Sequence, residues 1–130
     1  MNLSPAQARA AMLLVDPARL RAGRPIGLRD SALLALAAAG LSAAEISRLQ
    51  ASDLTMDRGR VVVTFQRRGA PLSITLPMDL GARVLTWLSE LRLWAVPFPL
   101  FTGPNGQHSP RGISAVLDRY RSKKGRGRRC

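Results

Sequence analysis

Few side chains in this sequence can carry covalent chemistry. There is one histidine, His108, and one cysteine, Cys130, so neither an internal disulfide nor a cysteine-rich metal site is available. The eight carboxylates are scattered, with no spacing that suggests a paired acid and base or a metal site. Gly103 and Gly106 do not follow a strand and open a helix, as a phosphate-cradling loop would. No metal or other cofactor is expected. Positive charge is abundant instead: 20 Lys and Arg against 8 Asp and Glu give a net charge of +12 over 130 residues. Such a field favours polyanions, nucleic acid first and acidic membrane surfaces second. The cations are mostly arginine, which suits bidentate phosphate contacts but equally fits a GC-rich genome.

These cations need elements to hold them. An apolar fraction of 46% with mean hydropathy near zero describes one globular domain with a modest core. Ser4-Pro5-Ala6-Gln7 is a capped helix start, and the pattern predicts a helix over 5–15, stopped by Asp16-Pro17. A buried helix is expected over 28–39, with Gly40 as its left-handed cap. Ser42 and Glu45 form a second capping box, opening a helix over 43–51. Asp57-Arg58-Gly59 turns into a β hairpin over 60–76, tipped by Arg67-Arg68-Gly69. Leu80, Val84, Leu88 and Leu91 predict a helix over 79–92, with Trp87 and Trp94 packing in the core. Pro97 to Phe101 reads as an extended apolar link and Thr102 to Gly106 as a turn. Ser109-Pro110 then opens a helix over 110–121 with Ile113, Val116, Leu117 and Tyr120 on one side. Residues 119–130 are basic and glycine-punctuated, and are expected to form a tail, disordered without a partner, after a domain spanning 1–118. The fold class is thus α+β, mostly helical, with one hairpin. No apolar run is long enough to span a membrane and no signal peptide is visible, so a cytoplasmic location is expected.

The run Arg29-Asp30, Gly40-Leu41-Ser42, Glu45, Leu49, Ser52-Asp53 and a basic hairpin resembles, in residues and in order, the first half of the catalytic domain of tyrosine recombinases, the phage integrase family. The resemblance starts near residue 3. It implies an integrase-like partial catalytic domain, without the family's N-terminal core-binding domain and with no length for the later catalytic motifs. It also implies a setting in DNA recombination or integration. A helix-turn-helix over Leu33 to Gln50 is an alternative reading, but it leaves the hairpin and the two later helices unexplained.

The family cuts DNA with a tyrosine nucleophile while two arginines, a hairpin lysine and histidines neutralise the phosphate and move protons. The position of the first arginine holds Ser42, and the hairpin lysine falls near Arg67 or Arg68, which keep the charge but donate protons poorly. His108 and Arg111 have the His-x-x-Arg spacing and Tyr120 follows. The helix from Pro110 aligns better with the one preceding that motif, so His108 is read as a loop residue, Arg111 as a first-turn residue and Tyr120 as core. The resemblance therefore implies a non-enzymatic, nucleoid-associated protein that binds DNA largely without regard to sequence. Its contacts are expected from Arg48, Arg67, Arg68, Arg111, Arg121, Lys123, Lys124, Arg126, Arg128 and Arg129. The alternatives are an interaction module that docks on a full recombinase or on a second copy of itself, and a remnant without selected function.

Overall fold

A computed structural model describes residues 4–21, 23–91, 99–103, 106–107 and 109–129, with 103, 106, 107 and 121–129 described by backbone alone. The chain is α+β. Its helices are α1 (Pro5–Met12), α2 (Ile26–Ala38), α3 (Ala43–Ser47), α4 (Met78–Leu91) and α5 (Pro110–Arg129). Strands β1 (Leu54–Asp57), β2 (Arg60–Arg67) and β3 (Ala70–Thr75) form an antiparallel sheet in sequence order. A separate two-stranded ribbon pairs β4 (Thr102–Gly103) with β5 (Gly106–Gln107), within the expected turn cluster.

Helix α2 organises the rest. Asp30 through Ala37 are all buried, a run that passes round the helix more than twice, so no side of it faces water. Helices α1, α3, α4 and α5 pack around it. Helix α4 turns Leu80, Val84, Trp87 and Leu88 inward. Trp87 stacks near-parallel on Phe101 at 6.1 Å, and its indole N–H donates to the Leu100 carbonyl at 2.9 Å, so it is core as expected. Trp94 and His108 lie outside the described residues. The expected face of α5, Ile113, Val116, Leu117 and Tyr120, is buried.

The sequence pattern and the structure part where tertiary contacts compete with helix continuation. Helix α1 ends at Met12 rather than 15, because Arg83 of α4 donates to the Met12 carbonyl at 3.3 Å and Val15 turns into the core. Helix α3 ends at Ser47 rather than 51. Leu100 N–H takes the Leu49 carbonyl at 2.9 Å, and a single 3-10 turn at Ala51–Asp53 follows, capped by Asp53 on the Gln50 N–H at 2.9 Å. The hairpin gains an unexpected third strand. Leu54 and Met56 pair with Val63 and Val61, Leu54 buried and Met56 left 51% exposed, and β1 is too short for any alternation to register in sequence. Helix α2 begins at Ile26, where the preceding loop crosses closely: a Cβ on Gly27 would meet the Asp16 carbonyl oxygen at 2.1 Å.

The far end differs as well. Tyr120 is a core residue, so the folded unit runs past the boundary expected at 118. Helix α5 continues to Arg129, through the residues expected to form a disordered tail. Arginine and lysine are good helix formers and a helix rooted in the core needs no new nucleus, which works against the cost of about 1 kcal/mol at each of Gly125 and Gly127.

One charge sits inside this core. Asp30, 4% exposed, accepts the Tyr120 hydroxyl at 2.6 Å on Oδ2, while Arg29 donates to Oδ1 from Nε at 2.9 Å and pairs with it through Nη2, 2.8 Å away. Burial pushes the Tyr120 phenol above its ordinary pKa, and the bond to Asp30 adds to the shift. Replacing Tyr120 with Phe keeps the ring but strips one donor from a buried carboxylate. Tyr120→Phe should cost about 1–3 kcal/mol. Urea denaturation at neutral pH checks this, and an unshifted midpoint would show that the bond contributes nothing.

Candidate nucleic-acid interface

The turn from α2 to α3 is built as its sequence predicts. Gly40, at φ +104°, provides the left-handed cap, with its N–H on the Ala37 carbonyl at 3.0 Å and the Leu41 N–H on the Leu36 carbonyl at 3.2 Å. Ser42 then caps α3. Its Oγ accepts the Glu45 N–H at 3.2 Å, and Glu45 Oε1 accepts the Ser42 N–H at 2.8 Å.

Glu45 has a second partner that the spacing of the sequence does not reveal. Arg67 grips it from the hairpin, with Nε on Oε2 at 2.7 Å and Nη2 on Oε1 at 2.9 Å, and Nη2 also reaches the Gly40 carbonyl at 3.0 Å. The guanidinium lies 5.1 Å from the centre of the Phe65 ring. Strand alternation explains the placement. Val61, Val63, Phe65 and Arg67 share the core side of β2, so Arg67 is turned toward α3 rather than outward. Arg67, expected near phosphate, bridges the hairpin to the cap of α3 while 42% of its side chain stays exposed.

The other expected cations fare differently. Arg68 stands exposed in the two-residue turn, at φ +54° beside Gly69 at +78°. Both angles suit a type I′ hairpin. Arg48 is the exposed C-cap of α3, and Arg111 is exposed in the first turn of α5. None of these three forms an ion pair among the described residues. Arg121, Lys123, Lys124, Arg126, Arg128 and Arg129 follow Tyr120 along the backbone of α5. Sequence reasoning passed over Arg58, which holds the same position in the β1–β2 turn, at φ +53° beside Gly59. The two turns lie at opposite ends of β2, roughly 25–30 Å apart by strand rise, so they cannot share a phosphate.

Arg48 borders a notch of about 100 Å³ that also involves Glu45, Asp53, Thr64 and Phe65. With two carboxylates on its walls, one already bound to Arg67 and the other capping a turn, the notch is not an anion pocket. Among the described residues no three His, Cys, Asp or Glu side chains come together as a metal site, and no helix is long and apolar enough to cross a membrane. No known protein family matches the chain, and no characterised protein does.

The Arg67 bond holds the Glu45 carboxyl down at about 2, from an ordinary value of 4.5, against the opposing effect of burial. A depressed folded-state pKa gives stability that is present above the unfolded value and is lost as pH falls between about 4.5 and about 2. Arg67→Ala should flatten the acid limb of stability across that window. Denaturation midpoints measured from pH 5 to pH 2, roughly the span of the linkage, provide the check. An acid limb identical to that of the parent chain would rule out the bridge in solution.

Proposed function

We propose that this chain binds the DNA backbone without cutting it, as a degenerate relative of the first half of the tyrosine recombinase catalytic domain, working where DNA is, in association with the nucleoid. The observation that carries the reading is the surplus of unneutralised cation. The net charge is +12, and Arg48, Arg68 and Arg111 are exposed and without ion pairs among the described residues, with six more basic residues after Tyr120. Phosphate contacts of this kind give affinity that falls steeply with salt and distinguishes sequences weakly.

Two features support the absence of cleavage. Ser42, at the position where the family places its first arginine, carries no charge and uses its hydroxyl as a helix cap. The Tyr120 hydroxyl is buried against Asp30 with a raised pKa, the opposite of an activated nucleophile facing a phosphate. A covalent protein–DNA adduct on a nicked duplex, abolished by Tyr120→Phe, would contradict this part of the reading.

Salt titrations of duplex binding test the remainder. Arg68→Asn removes the charge while keeping a residue that favours the turn. Combined with Arg48→Ala and Arg111→Ala, it should flatten the slope of log affinity against log salt by about 2.7 if each side chain holds one phosphate. Truncation should fall after Tyr120, because an earlier cut removes a core residue. It deletes six basic side chains and no acid, taking the formal charge from +12 to +6, and should flatten the slope by about 4–5 if most of them contact phosphate. Arg67→Ala should leave the slope of the folded protein nearly unchanged. If the parent chain shows no salt-dependent affinity for duplex, branched or single-stranded DNA, the proposal fails and the interaction-module reading takes its place.

A further inference from the structure

The connector between α1 and α2 exposes a combination found in neither the core nor the expected DNA-facing residues. Leu13, Leu14 and Leu20 are 69%, 66% and 63% exposed, three of the six exposed large apolar side chains among the described residues, and they fall within eight residues. Arg19, Arg21 and Arg24 are exposed in the same stretch and form no ion pair among the described residues. Its one carboxylate, Asp16, is engaged in the connector itself, with Oδ1 accepting the Ala18 N–H at 2.9 Å.

The connector is not slack. Gly27 donates to the Arg19 carbonyl at 3.0 Å, and the loop crosses Gly27 so closely that a side chain there is excluded. Arg21 and Arg24 exchange two backbone hydrogen bonds, at 3.0 and 2.9 Å. Beside it, between α2 and α4, opens a cleft of about 470 Å³ lined in part by Pro17, Leu28, Ala82 and Thr86. Asp79 is held by Arg9, while Arg83 donates to Ser31 Oγ at 2.9 Å and to the Met12 carbonyl, one residue before Leu13, and forms no ion pair among the described residues. The cleft thus combines apolar wall with one unneutralised arginine, next to a connector rich in exposed leucine and arginine.

We propose that this connector and cleft form a docking surface for a partner protein segment that alternates apolar side chains with carboxylates, such as an acidic amphipathic helix. Charge complementarity selects that occupant. Nucleic acid would use the arginines and waste the leucines, and a lipid surface is too flat to fill a cleft. A second copy of the chain would set arginine against arginine at a net charge of +12 each. Only a segment that is both apolar and acidic uses every feature, and the surface is already ordered to receive it. The inference stands apart from DNA binding, which rests on other residues.

The test uses the full chain, isotope-labelled, and a synthetic helical peptide of about 18 residues with leucine on one face and glutamate on the other. Controls are the same composition scrambled, a version with lysine for glutamate, phosphatidylserine vesicles and duplex DNA. Amide shifts should concentrate at residues 12–31 and 79–86. Affinity should fall about tenfold or more in the Leu13→Ser/Leu14→Ser/Leu20→Ser variant, with the melting temperature unchanged because those side chains are already in water. Arg19→Glu/Arg21→Glu/Arg24→Glu should lose the acidic peptide and gain the lysine version. Equal binding of the scrambled peptide, shifts centred elsewhere, no binding of the acidic peptide, or vesicles or DNA perturbing these residues more strongly than the peptide would each overturn the proposal.

Discussion

Everything in this molecule is arranged about a helix with no face to the solvent. Helix α2 has eight consecutive buried residues, Asp30 to Ala37, and must be enclosed by other elements. Four helices, α1, α3, α4 and α5, supply that enclosure in a small domain. Within that enclosure Asp30 carries a carboxylate, held because Arg29 and Tyr120 both donate to it. Removing one donor leaves a buried carboxylate short of a partner, which costs more than the bond itself contributes. Through Tyr120 this requirement also binds α5 to the centre of the fold. The helix that carries much of the positive charge is thus rooted in the core rather than loosely appended to it.

A second constraint acts at the rim. Glu45 serves three donors at once: its own helix cap, through the Ser42 N–H, and two nitrogens of Arg67. The hairpin, the turn at Gly40 and the start of α3 are joined through this one carboxylate. An arginine used in this way already has part of its fork occupied by a planar anion. Formal charge therefore overstates what the surface offers. The cations left outward, Arg48, Arg68 and Arg111 among them, form no ion pair among the described residues.

The chain also separates two kinds of surface. The arginines at the hairpin turn, at the end of α3 and at the start of α5 are exposed at turns and helix ends and form no ion pair among the described residues. Those of the α1–α2 connector stand among exposed leucines, where apolar area and charge act together. A polyanion with a regular backbone suits the first arrangement, and a folded protein segment suits the second. Nothing in the physics makes the two exclusive, because they draw on different residues.

Local chemistry was legible in the order of residues. Both capping boxes, the left-handed cap at Gly40, the turn at Arg68-Gly69, the core face of α5 and the burial of Trp87 all follow from interactions within a few residues, where chain connectivity already brings the partners together. What the sequence could not decide was competition across distance. At the end of α1 and just beyond α3, the Met12 and Leu49 carbonyls go to Arg83 and Leu100, far along the chain. The strand at Leu54 exists because β2 is there to pair with it. Arg67 looked like a phosphate ligand because its charge is visible in the sequence and its partner, 22 residues away, is not. A residue's type sets what it can bind, but only tertiary structure decides whether that capacity is spent inside the protein or offered outside it.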